Sequence, residues 1–138
     1  MHILLQHAGI KPGDKIAICG RNSANWTAVF LAIITYGGVA VPILHEFKPD
    51  NIHHIVNHSE SRMLFAGDQI WENLNEASMP DIEGIIELKN FDLVVSRSEK
   101  LTYAREHLNE EFGKKYPCRF RAEQVSYRRE NPEELAII

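Results

Sequence analysis

Cysteine is scarce, with Cys19 inside an apolar stretch and Cys118 beside Pro117, and neither belongs to a CxxC pair or to a metal-ligand spacing. The sequence therefore offers no disulfide framework and no zinc knuckle, and two reduced thiols of a cytoplasmic protein are expected. Positive charge is not in surplus either. Fifteen Lys and Arg stand against nineteen Asp and Glu, a formal charge of -4, which leaves no electrostatic footprint for nucleic acid. The opening "MHILLQHAGIKPGDK" has an apolar patch but neither a basic leader nor a small-residue cleavage site, so export is not expected. No internal repeat and no low-complexity tract interrupts the chain.

Charge is missing altogether from "NSANWTAVFLAIITYGGVAVPIL", Asn22 to Leu44. Gly37, Gly38 and Pro42 interrupt that stretch, and its helical part reaches only about 20 Å at ~1.5 Å per residue, short of a ~30 Å hydrocarbon core. The reading is a helix buried on most sides, because its apolar residues face every direction, followed by a buried strand. Pro42 in that strand points to a sheet edge or a strand end.

The 138 residues suffice for one hydrophobic core, so a single domain is expected over 1–138. "KIAIC" (15–19) reads as a strand after the turn "KPGD", and Asn22 or Ser23 caps a helix running to about Tyr36. Pro49 and Asp50 open a second helix with Ile52, Ile55 and Val56 on one face. The unit then repeats, with strand "RMLFAG", helix "DQIWENLNEAS" and strand "GIIEL". Such alternation predicts an α/β fold: a doubly wound, mainly parallel sheet with helices on both faces, of the Rossmann or flavodoxin kind. Beyond Lys89 the pattern loosens. One amphipathic helix is expected there, with Ser96 and Glu99 as a capping box, Leu101, Ala104, Leu108 and Phe112 on one stripe, and Gly113 at its end. The terminal "ELAII" reads as a buried strand.

Chemistry-bearing patterns are few. "CGRNSANW" (19–26) lies where a strand meets a helix N-terminus, a place that attracts phosphate, but it is neither GxGxxG nor GxxxxGK[ST]. His45, His53, His54 and His58 cluster, with His54 and His58 one turn apart, yet HExxH is absent and no carboxylate stands at a third position, so a solvated helix face is expected. Ser23, Ser59 and Ser61 lie where capping is usual, no GxSxG elbow occurs, and Glu110, Glu111, Glu133 and Glu134 sit in surface-type runs. No catalytic residue and no metal ligand is assigned.

Taken together, the segments say more than any one of them. Gly9 with Gly13 and Asp14 forms GxxxGD, Asn22 with Ser23 and Trp26 forms N-[ST]-x-x-[WF], Gly37 to Pro42 forms G-[GA]-x-x-V-P, and Ser61 with Arg62 forms S-[KR]. In that order the first half of the chain resembles the N-terminal region of AMP-forming acyl-CoA synthetases, most of all the long-chain fatty-acid CoA ligases of bacterial type. "NPEELAII" resembles the strand that, in that family, leads into the loop holding the ATP phosphates.

The resemblance implies an α/β subdomain truncated at both ends, a fragment of the family's large N-terminal domain, whose partner is the remainder of the same polypeptide. It implies a parent enzyme that joins a fatty acid to ATP as acyl-AMP with Mg²⁺ and then passes the acyl group to coenzyme A. The segment alone would be inactive and bind none of these. The parent would be cytoplasmic, with peripheral membrane association left open and no transmembrane segment. His45, Glu46 and Phe47 fall where some relatives border the CoA nucleotide, although His45 and Glu46 replace small residues of acetyl-CoA-type members. Two rivals remain: a stand-alone flavodoxin-like nucleotide-binding or interaction module using "CGRNSANW", and a metal-binding regulator using His54 and His58.

Overall fold

The computed structural model describes residues 1–115; the expected terminal strand "ELAII" and Cys118 lie outside them. A short helix α1 (His2–His7) precedes strand β1 (Lys15–Cys19), helix α2 (Ala24–Tyr36), strand β2 (Val39–Ile43), helix α3 (Pro49–His58) and strand β3 (Met63–Ala66). One turn of helix, α4 (Asp68–Trp71), and a 3-10 turn at Glu76–Ser78 lead to β4 (Gly84–Glu87), β5 (Leu93–Ser96), α5 (Glu99–Glu106) and α6 (Leu108–Lys115).

The sheet order is β2-β1-β3-β4-β5, with β1 parallel to both β2 and β3, β3 parallel to β4, and only β5 antiparallel. The doubly wound, mainly parallel α/β expectation is met. β2 lies at an edge, as Pro42 implied, and that proline is exposed.

Alternate residues of each strand feed opposite cores, as the two-residue side-chain period requires. Ile16, Ile18, Met63, Phe65 and Ile86 pack with Val29 and Ile33 of α2, Leu4 and Leu5 of α1 and Leu101 of α5. Ala17, Cys19, Val41, Leu64 and Ile85 pack on the other face with Ile52 and Val56 of α3 and with Met79 and Ile82. Both faces are covered, which is why the strands read as continuous apolar runs rather than alternating ones.

Four expectations need correction. α2 is not buried on most sides: only Val29 and Ile33 are fully buried, and Leu31 is 53% exposed, because just one face of the helix meets the sheet. "DQIWENLNEAS" is not one helix. It breaks after Trp71, where Asn73 and Asn75 bond nearby backbone instead of continuing the ladder. β5 replaces the loose segment expected after Lys89, turning back on β4 through Asn90 and Asp92, with Phe91 at φ 59°. The helix after it starts at Ser98, whose hydroxyl accepts the Leu101 N–H, not at Ser96. It is interrupted at His107, runs past Gly113 to Lys115, and leaves Phe112 43% exposed, outside the expected apolar stripe.

No helix among the described residues is long and apolar enough to cross a membrane.

Candidate nucleotide crevice

β1 pairs with β2 on one side and β3 on the other, so the helices following β1 and β2 leave over opposite faces. In a doubly wound sheet the carboxyl ends of such strands border a crevice. Here Cys19 ends β1 and Ala66 ends β3, and glycines follow both. The Gly67 N–H donates to the Cys19 carbonyl at 3.0 Å. A Cβ on Gly20 would come within 2.7 Å of Leu88 Cδ1, while its 3.6 Å approach to the Gly67 nitrogen is ordinary contact, so it is the Leu88 side chain at the β4 exit that glycine makes room for.

Ser23 caps α2 by accepting the Trp26 N–H at 3.1 Å, which sets the helix N-terminus toward the crevice. Asn25 Nδ2 then donates to the carbonyls of Leu88 at 2.8 Å and Lys89 at 3.0 Å. The exit of β4 is thereby fastened to the first turn of α2. A cavity of about 670 Å³ results, whose lining includes Arg21, Asn25, His45, Phe47, Gln69 and Lys89. Ile52 and Leu88 contribute apolar wall, and Asp68, whose Oδ1 accepts the Gln69 N–H at 2.9 Å, contributes a carboxylate.

Of the three residues expected on the sequence, His45 and Phe47 line this cavity. Glu46 does not: its side chain is 84% exposed, with Oε1 3.9 Å from His45 Nε2. Arg21, Asn25, Gln69 and Lys89 were not singled out. Arg21 and Asn25 sit within "CGRNSANW", but a search for glycine-rich phosphate loops looks past a lone arginine and a tethering asparagine. Gln69 and Lys89 come from later strand exits, and only the sheet order brings them there.

The other candidates are structural. Cys19 is buried at the end of β1, its Sγ 3.8 Å from the Leu44 carbonyl, and burial pushes its thiol up to about 12. It is no nucleophile at neutral pH. Ser59 and Ser61 are buried and bonded to each other at 2.7 Å. Glu111 is more than a solvated surface group: it lies 3.3 Å from His7 Nε2 and accepts from Tyr103 and Lys114.

The histidine cluster dissolves. His53 is buried and its Nε2 accepts the Asn75 N–H at 3.0 Å, which corrects its placement on a solvated face. His54 and His58 are exposed, with rings stacked at 5.7 Å. No group of three or more His, Cys, Asp or Glu that could hold a metal stands among the described residues. The crevice, by contrast, combines two cations, side-chain amides, an imidazole and an aromatic ring. That combination suits recognition of a planar, anionic group rather than bond making.

Comparison with known proteins gives the class. The family model described as AMP-binding enzyme matches residues 2–138, and the chain belongs to that family. It is 29% identical over 72 residues to 4-hydroxybutyrate–CoA ligase 2 of Metallosphaera sedula, covering 52% of this chain and 13% of that protein. It is 31% identical over 65 residues to the fatty acid–[acyl-carrier-protein] ligase ScoC of Streptomyces coeruleorubidus, covering 47% of this chain and 12% of that one. Coronafacic acid ligase from Pectobacterium brasiliense shares the fold with a TM-score of 0.58 at 24% identity, over 62% of this chain and 18% of its own. The matches thus span less than a fifth of each of these proteins.

Proposed function

We propose that the chain is the scaffold segment, over 1–138, of the large N-terminal domain of an AMP-forming long-chain fatty-acid CoA ligase. In this reading its crevice receives the nucleotide end of coenzyme A. The observation that carries the reading is the convergence of His45 and Phe47, from the exit of β2, with Arg21 and Lys89 at the carboxyl edge of the sheet. Phe47, 38% exposed, offers a face on which a purine can stack, and His45 offers a ring nitrogen to its edge. Family membership supports the ligase, and the kinship to a fatty-acid-activating relative supports the acyl class.

Adenylation needs charge stabilisation around a phosphoryl centre, for which ATP brings Mg²⁺. The described residues hold no carboxylate cluster suited to that ion. Their part is to position and hold: the Asn25 tether fixes the crevice mouth, and Ser23 orients α2. Acyl transfer belongs, in this reading, to the remainder of the polypeptide acting in the cytoplasm or at a membrane surface.

Every residue lining the crevice belongs to the segment itself, so this reading departs from the expectation that the segment alone binds no ligand, and calorimetric titration of the chain with coenzyme A tests it. Binding that is lost in Phe47→Ala and retained in Glu46→Ala is the expected result. Binding of FMN in preference to coenzyme A would favour a stand-alone flavodoxin-like module instead.

A further inference from the structure

The wall of the crevice that carries Asp68, Gln69, Ile70 and Asn73 is a strap, residues 68–75, running from the exit of β3 toward the 3-10 turn at Glu76–Ser78. We propose that His53 of α3 is a pH-sensitive clasp on this strap: the neutral ring holds it down, and the protonated ring releases it and loosens that wall of the crevice. The clasp acts whichever ligand the crevice takes.

His53 is 7% exposed, and its Nε2 accepts the Asn75 N–H at 3.0 Å. A ring nitrogen accepts only while it carries no proton, so this bond requires the neutral imidazole with its hydrogen on Nδ1. A second proton would set Nε2–H against the Asn75 N–H, two donors face to face in a buried place, and the bond would be lost. Imidazoles gain that proton between about pH 8 and about pH 5, so the clasp is closed at the upper end and opens as the pH falls. Asp50, also on α3, is the carboxylate at hand among the described residues, but its Oδ1 lies 3.9 Å from Nδ1 on a fully exposed side chain, where water and salt screen it. On the strap side Glu72 and Glu76 flank Asn75, and both are exposed.

The rest of the strap offers little to replace that bond. Its backbone bonds stay local, with the Trp71 N–H on the Gly67 carbonyl at 3.0 Å and the Leu74 N–H on the Trp71 carbonyl at 3.1 Å. Ile70, Trp71 and Leu74 rest on the core only partly buried. The Trp71 indole N–H and Asn57 Oδ1 of α3 are buried with no hydrogen-bond partner among the described residues. Both ends of the strap, in contrast, are fixed. The Gly67 N–H holds the Cys19 carbonyl at 3.0 Å, Asn57 Nδ2 donates to the Ser78 carbonyl at 2.8 Å, and Arg97 Nη1 donates to the carbonyl of the buried Met79 at 2.6 Å. Loss of the His53 bond thus frees the middle of the strap between anchored ends, which is a local opening and not unfolding.

Amide hydrogen exchange of the chain at about pH 7.5 and about pH 5, corrected for the intrinsic effect of pH on exchange, reads the clasp. Protection of Asn75 should fall about 10-fold at the lower pH, as for the loss of one hydrogen bond, while the amides of β1 and β3 keep theirs. His53→Gln supplies an amide oxygen that accepts but takes no proton, and it should hold the strap protected at both values. His54→Gln and His58→Gln, on the exposed face of the same helix, should leave the wild-type response unchanged. Nitrogen NMR shifts of the His53 ring in the wild-type chain should show Nε2 without a hydrogen at about pH 7.5. Asn75 protection that does not change between the two values, or that falls equally in His53→Gln, overturns the proposal. So does a hydrogen on Nε2 at the upper value, a result that needs no variant to fold.

Discussion

Arg62 donates to Asp14 Oδ2 at 2.6 Å, joining the residue before β3 to the residue before β1 at the amino-terminal edge of the sheet. The same guanidinium bonds the Gly9 carbonyl at 3.2 Å and the Glu83 carboxylate. Two sequence elements read separately, GxxxGD and S-[KR], are thus one ionic clamp that sets the entry of β1, β3 and β4. Glu83 and Asp14 hold the Arg62 guanidinium above its ordinary range against the opposing effect of burial. With about a third of the Arg62 side chain exposed, its removal should cost about 1–3 kcal/mol, mainly by stranding the two carboxylates. Urea unfolding of Arg62→Met measures this, and Arg62→Lys should recover only part of it, since an ammonium cannot fork.

The floor of the crevice depends on Gly20. Gly20→Ala places a methyl 2.7 Å from Leu88 Cδ1, so Leu88 must yield and push on the β4 exit that carries Lys89. A loss of about 1–3 kcal/mol is expected. Ligand binding should weaken with it, which Gly113→Ala, facing open space, should not reproduce.

Burial raises the Cys19 thiol from 9.0 to about 12. A group whose folded value is raised contributes stability that is fully present below 9.0 and is lost as the pH climbs toward 12. Alkylation of Cys19, read by peptide mapping, should be negligible at pH 8 in the native chain and complete once it is unfolded. Cys19→Ser should flatten the alkaline decline in melting temperature.

On the side opposite α3, hydrogen bonds from Tyr103 and then Lys114 hold the Glu111 carboxyl below its usual 4.5. Here the sign reverses: the contribution is present above 4.5 and disappears as the pH falls through the lowered folded value. Acidification should therefore loosen α6 from α1 and α5 before the sheet unfolds. Amide exchange of α6 against that of β1 and β3 measures the order, and Glu111→Gln should remove the pH dependence.

The sheet was legible because β1, β2, β3 and β4 are covered on both faces, so each appears as an apolar run with a turn beside it. α2 misled because an uncharged helix looks buried all round, yet a single face rests on the sheet and Leu31 stays exposed. β5 was hidden by its partial burial, which gives neither a continuous run nor a clean alternation. At the site, His45 and Phe47 were legible only through resemblance. Arg21, Gln69 and Lys89 belong to three strand exits, and no local pattern records that β1 lies between β2 and β3.

The central claim is that the carboxyl edge of this sheet is a docking place for the nucleotide of coenzyme A. Titrating the isotope-labelled chain with coenzyme A and following amide and side-chain NMR shifts tests it most directly. Changes should concentrate at Arg21, Asn25, His45, Phe47, Gln69 and Lys89, with Asp14, Arg62 and Glu83 at the opposite edge unmoved. Changes centred on the Arg62 clamp, or none at any ligand concentration, would contradict it.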